Sequence, residues 1–206
     1  HQPHPLIDVR LLHARHFAAA TLTAGLAGAN MYGGLLVLPL YLQTTAELGA
    51  ASTGAQLLAM GLGSALMLPL AGTLTDRLEA SCVAMGGAAL MALATLPLAL
   101  GITFDDVGLA LLLAVRGAGL ALTQMPAMTA AYASATRAQM GDATTIVNVV
   151  QRAGGALGAI VVVIILSRVG SRAGSEGHAM AFVMLMMLAV AAMGSAVAMR
   201  SRRAVD

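Results

Sequence analysis

The sequence predicts an all-α membrane protein whose six transmembrane helices form a 3+3 inverted repeat. Three observations predict it. Of 206 residues, 59% are hydrophobic and only 10% are charged, and the mean hydropathy is +0.85; a soluble domain carries about 25% charged residues. Six apolar stretches, each long enough to cross about 30 Å of hydrocarbon, alternate with short polar loops. The first three stretches also echo the second three. The first and fourth carry central glycines and a late proline, Pro39 and Pro126, and the second and fifth carry a polar residue ahead of a glycine cluster. Three is odd, so the two sets cross in opposite directions.

Composition also excludes. The formal net charge is +2 and the arginines are scattered rather than banded, so no nucleic-acid partner is expected. The pI of about 9.2 fits arginines at membrane edges. A lone cysteine, Cys82, allows neither an intramolecular disulfide nor a thiolate metal cluster, and reads as a small packing residue. His1-Gln2-Pro3-His4-Pro5 has neither the charged nor the apolar region of a secretory leader. The chain opens on histidine, as a fragment or an excised half would. No HExxH, phosphate loop or pair of carboxylates within a span is present, and the histidines lie in flanks and loops. No enzyme, metal site or cofactor is expected.

Residues 1–16 read as a short amphipathic lead-in at the interface, with Leu6, Ile7, Leu11 and Leu12 alternating with Asp8, Arg10, His13 and Arg15. The bundle occupies 17–199 and a tail 200–206. The first span, 17–42, holds Asn30, Tyr32 and Gly33-Gly34, with a bend expected at Pro39. The second, 53–74, holds Gln56, Gly61, Gly63 and Pro69; the loop 75–81 holds Asp76, Arg77 and Glu79. The third, 82–101, has few polar groups, as a lipid-facing helix would. The fourth, 107–131, carries Arg116, Gly119, Gln124 and Pro126. The fifth, 141–166, carries Asn148, Gln151 and Arg152, then Gly154, Gly155 and Gly158; Gly154 and Gly158 form a GxxxG, where backbones approach closely. The sixth, 179–199, is rich in Met and Ala.

Six spans put both ends on one side. Loops there hold Arg10, Arg15, Arg77, Arg137, Arg200, Arg202 and Arg203, against Arg168 and Arg172 opposite, so the positive-inside rule makes both ends cytoplasmic.

Several stretches in this order resemble a known family. PLIDVRLLHARHF is similar to a cytoplasmic lead-in, and LVLPLYLQ to the end of the span that follows. Gly72-Thr73-Leu74-Thr75-Asp76-Arg77 resembles a Gly-x-Leu-x-Asp-Arg loop, and LLLAVRGAGLAL an Arg-Gly-x-Gly pattern. Gly141 to Gly158 resembles an Asn…Arg/Gln-x-Gly-Gly-x-x-Gly span. Together they are similar to the C-terminal six-span half of the major facilitator superfamily, in its fourteen-span drug:proton antiporter branch. After Asp76-Arg77 the pattern departs: Leu78-Glu79-Ala80-Ser81 stands where glycine and basic residues are usual, which weakens any gate made by Gly72, Asp76 and Arg77.

The resemblance implies half of a proton-coupled multidrug efflux transporter in the cell membrane, working by alternating access. Its implied partners are the N-terminal half, which supplies the proton-binding acids, a small amphipathic substrate and the bilayer. The alternative is a six-span module without transport, such as a scaffold or assembly partner.

Arg116 and Arg152 lie about 13 and 16 Å inside their spans at 1.5 Å per residue. A charge there is costly in lipid and faces protein or a wet cavity. Similar depth suggests one shared cavity holding substrate or a carboxylate of the other half; the alternative is structural charge bonded to carbonyls or to Gln and Asn. Asn148 shares a helix face with Arg152, and Gln151 sits one step round; both fit ligand contact or interhelical bonding. Gln124 and Asn30 read as cavity lining or packing, and Gly154, Gly155 and Gly158 as helix packing. Asp142 fits the amino end of its helix. The 14 methionines suit either an adaptable drug surface or lipid-facing filler.

Overall fold

The computed structural model describes residues 9–169 and 174–200. A short 3-10 helix, Val9–His13, leads into six α-helices: α1 Arg15–Thr44, α2 Ala50–Arg77, α3 Ala80–Ala99, α4 Asp106–Ala133, α5 Met140–Val169 and α6 Gly174–Ala198, with a 3-10 turn Arg137–Gln139 before α5. All six are long and apolar enough to cross a membrane. Among the described residues there is no strand.

Most helices overrun the apolar stretches that announce them. α1, with 30 residues, is about 45 Å long against about 30 Å of hydrocarbon. Hydropathy marks where lipid ends, whereas the helix continues until its last carbonyls find other partners. The loop expected over 75–81 shrinks to Leu78 and Glu79 between α2 and α3. Pro39, Pro69, Pro97 and Pro126 all sit inside continuous helices. Residues 1–8 of the lead-in and 201–206 of the tail lie outside the described residues; in the described part of the lead-in, Leu11 is buried in the cluster formed by Phe17, Ala131 and Met199, although Leu12 is exposed. Cys82, expected in packing, is exposed.

The packing carries the repeat. α1 packs on α5 as α4 packs on α2; α6 packs on α1 as α3 packs on α4; α1 meets α4 and α3 meets α6 at the centre. Exchanging α1 with α4, α2 with α5 and α3 with α6 leaves this scheme unchanged, as a 3+3 repeat requires. Directions follow from end contacts. Gln56 Nε2 donates to the Asp106 carbonyl at 3.0 Å, so α2 and α4 start at the same end. His16 meets the Met199 carbonyl at 3.3 Å and Thr45 meets His178 at 3.3 Å, so α1 and α6 run antiparallel.

Glycine makes the two strongest seams possible. A Cβ on Gly154 would collide with the Gly25 carbonyl, one on Gly158 with the Ala29 carbonyl, and one on Gly28 with the Gln151 carbonyl. Across α2 and α4, Gly63 faces the Ala114 carbonyl and Gly117 the Met60 carbonyl just as closely. Backbones pressed this near replace the hydrophobic drive that lipid cannot supply. α2 and α5 are left outermost, with Leu58, Leu62 and Leu66, and Leu157, Ile160 and Val163, exposed.

Candidate functional site

Arg116 lies ten residues into α4, about 15 Å from its start. It is 1% exposed. Its Nη2 donates to Asn30 Oδ1 at 2.7 Å, Nε to Thr95 Oγ1 at 3.2 Å, and Nη1 to Met60 Sδ at 3.6 Å. Thr95 gives its own proton to the Met91 carbonyl at 2.7 Å, leaving its oxygen free to accept. Asn30 passes the link on, its Nδ2 donating to the Leu185 carbonyl at 2.6 Å. The amide orientation follows from chemistry, because its NH2 would repel the guanidinium. Gly34 lies beneath, where a Cβ would come 2.8 Å from Nη2. One cation thus ties α4 to α1, α2 and α3, and through Asn30 to α6.

This corrects the expectation of a shared vestibule. Arg116 is enclosed between helices, and Asn30 is its buried acceptor rather than cavity lining. Depth locates a residue along a helix axis but not around it. Arg152, by contrast, is exposed, and among the described residues it makes no hydrogen bond or ion pair. It lies twelve residues, about 18 Å, into α5 from Met140.

The neighbours of Arg152 divide by helix face. Gln151 turns its side chain toward Gly28 of α1. Gly154, Gly155 and Gly158 form the floor against α1, with Gly155 under the ring of Tyr32. Asn148 is half-buried and donates to the Thr144 carbonyl of its own helix at 2.8 Å. At 100° per residue, Asn148 and Arg152 lie on one flank of α5, and Ala153 and Leu157 on the other.

Two grooves open on this bundle, and only the first includes residues of α5. The outer one, about 470 Å³, lies between α1, α5 and α6 and is lined by Leu22, Leu26, Val150, Leu157, Val161 and Leu188 among others, all apolar. The inner one, about 290 Å³, lies between α1, α2 and α4. Met31, Met60, Met125 and Met128 line it with Ser64 and Gln124. Tyr32, between Met31 and Leu35 on α1, rests on Gly155, so the helix that forms one wall of the inner groove packs on α5, the helix that bears Arg152. Thioethers supply a polarizable, adaptable lining, and Gln124 adds a donor and an acceptor. Four methionines from three helices meet here with no spacing in the sequence to announce them; Ser64, which donates to the Gly117 carbonyl at 2.8 Å, was equally unannounced.

Gly72, Asp76 and Arg77 belong to the last two turns of α2. Asp76 and Arg77 are exposed, and a Cβ on Gly72 would meet nothing within 4 Å. Glu79 just beyond pairs with Arg200 at 4.0 Å. No group of three or more metal-ligating side chains occurs among the described residues.

Comparison with known proteins decides the family. The family model of the Major Facilitator Superfamily matches residues 2–159. The chain belongs to the major facilitator superfamily. Within it, the chain is 30% identical over 167 residues to the multidrug resistance protein B homolog of Mycobacterium tuberculosis, covering 80% of this chain and 31% of that protein. It is 28% identical over 193 residues to the uncharacterized transporter YebQ of Escherichia coli, covering 93% of this chain and 42% of that protein. It is 27% identical over 164 residues to the lincomycin resistance protein LmrB of Listeria monocytogenes, covering 79% and 35%. The chain spans about a third of the length of these curated relatives. As a superfamily chain it is a multi-pass membrane protein of a transporter family, with relatives named for multidrug and lincomycin resistance.

Proposed function

We propose that this chain is the C-terminal half of a proton-coupled multidrug exporter. The observation that carries the reading is the difference between its two grooves. The outer groove is wholly apolar, as a surface against lipid should be. The inner groove mixes thioethers, a hydroxyl and an amide, and Arg152 stands exposed at mid-depth on α5, which packs on the groove's α1 wall. A cation held there needs protein or water around it, not acyl chains. The inner face therefore turns toward the rest of the protein, and the two bundles rock about a substrate site near the midplane. Arg152, Asn148 and Gln124 line that site in this reading, with Gln151 packed against Gly28 at its edge. Arg116 and Asn30 hold the helices behind it, and Gly72, Asp76 and Arg77 serve a cytoplasmic gate.

The energy source is a proton gradient, with no bound cofactor. Among the described residues no acid lies in the middle of a span, so the proton's carboxylates belong to the remaining part of the transporter. The arginine bias of the loops supports cytoplasmic ends and a cell-membrane location. The reading is tested in proteoliposomes carrying the full-length protein and a pH-sensitive dye. An amphipathic substrate added on the substrate-receiving side should move protons against the substrate's path. Substrate movement that is indifferent to an imposed pH gradient would contradict the coupling; no movement at all would contradict the exporter.

A further inference from the structure

We infer that the substrate site of this half selects amphipathic anions over cations, with Arg152 as the residue that receives the anionic head group. This deepens the exporter reading and rests on it. The acids of the described residues are Glu47, Asp76, Glu79, Asp105, Asp106, Asp142 and Glu176, and every one stands in a loop or in the terminal turns of a helix. Among the described residues, the only charged side chains in the middle of the spans are Arg116 and Arg152. Both are positive, and no carboxylate among the described residues neutralises either.

The two contribute differently. Arg116 is sealed behind Met60, whose sulfur takes its Nη1 proton and whose side chain also lines the inner groove. It cannot touch a ligand, but its charge lies behind the groove wall, in a low-dielectric region where salt does not screen it. Arg152 is exposed on α5, which packs on the α1 wall of that groove, and among the described residues it makes no hydrogen bond or ion pair. A guanidinium is a planar fork suited to carboxylate, sulfonate or phosphate oxygens. An apolar body laid among Met31, Met125 and Met128 leaves an anionic head in reach of the α5 flank. A cationic head in the same place would meet two like charges.

The test uses the full-length transporter in nanodiscs and three fluorescent amphiphiles that share one alkyl-aromatic body. Their heads are a sulfonate, a neutral carboxamide and a quaternary ammonium. The sulfonate should bind at least about tenfold tighter than the ammonium, equivalent to about 1.4 kcal/mol. Arg152→Gln should weaken sulfonate binding about tenfold and the carboxamide distinctly less, with an unchanged thermal unfolding profile reporting that the variant is folded; Arg152→Lys should retain part of the preference. Equal or tighter binding of the ammonium overturns the inference, as does an unchanged sulfonate affinity in Arg152→Gln or an absence of sulfonate binding. Export of the ammonium probe with the sulfonate ignored would leave the exporter reading standing and sink only the anion selectivity. If none of the three is bound or moved, both fall.

Discussion

Asn30→Leu is expected to cost the folded protein about 3 kcal/mol, the upper end for losing a buried hydrogen bond to a charged group. The substitution is close to isosteric and leaves the α1 backbone alone. What it takes away is the acceptor at 2.7 Å from Arg116 Nη2, in a site where the guanidinium is 1% exposed and no carboxylate stands in. Thr95 and Met60 remain, but a hydroxyl and a thioether answer only two of the five N–H groups. Arg116→Met should be milder, because it removes the cation and leaves only neutral groups unpaired, at about 1–3 kcal/mol for each buried group that finds no new partner. The double variant should be more stable than Asn30→Leu alone, since a fully apolar replacement of both partners is close to neutral. Thermal unfolding of the detergent-solubilised full-length protein measures all four corners. Additivity of the two single changes within about 0.5 kcal/mol would mean that the pair does not interact.

The second large effect is on transport. Leu68→Trp places an indole in the inner groove from a position that is 50% exposed, so the ring has room without forcing the core apart. Leu157→Trp does the same in the outer groove from a position 63% exposed. If substrate travels along the inner face, Leu68→Trp should reduce efflux at least about tenfold, corresponding to about 1.4 kcal/mol of lost binding or barrier. Leu157→Trp should leave efflux within about twofold, with both variants inserted at normal levels. Drug accumulation in cells expressing each variant reads the difference. The opposite pattern would place the substrate path at the α1–α5–α6 groove.

Much of the architecture was legible because lipid is a simple solvent. It demands long apolar helices and small residues where helices touch, and the GxxxG of Gly154 and Gly158 announces one wall of the α1–α5 seam. The opposing wall, Gly25 and Gly28, and the α2–α4 seam at Gly63 and Gly117, were not legible. A glycine in a membrane helix is common, and its partner lies on another helix whose identity only tertiary packing reveals. Depth was readable from a rise of about 1.5 Å per residue, so both arginines were placed near mid-membrane. Azimuth was not, and it separates a sealed Arg116 from an exposed Arg152. The inner groove was the least visible feature, because Met31, Met60, Met125 and Met128 come from three helices and form no local pattern.

The central claim is that the inner face meets water at mid-depth while the outer face meets lipid. Single cysteines test it most directly, in full-length protein with Cys82→Ser removing the exposed native thiol. Leu68→Cys and Met125→Cys on the inner groove should react with a membrane-impermeant maleimide, and a bound substrate should slow that reaction. Leu157→Cys and Val161→Cys on the outer groove should resist it and react only with a lipid-soluble reagent. Labelling from water at the outer positions, with the inner ones silent in every conformation trapped, would contradict the account.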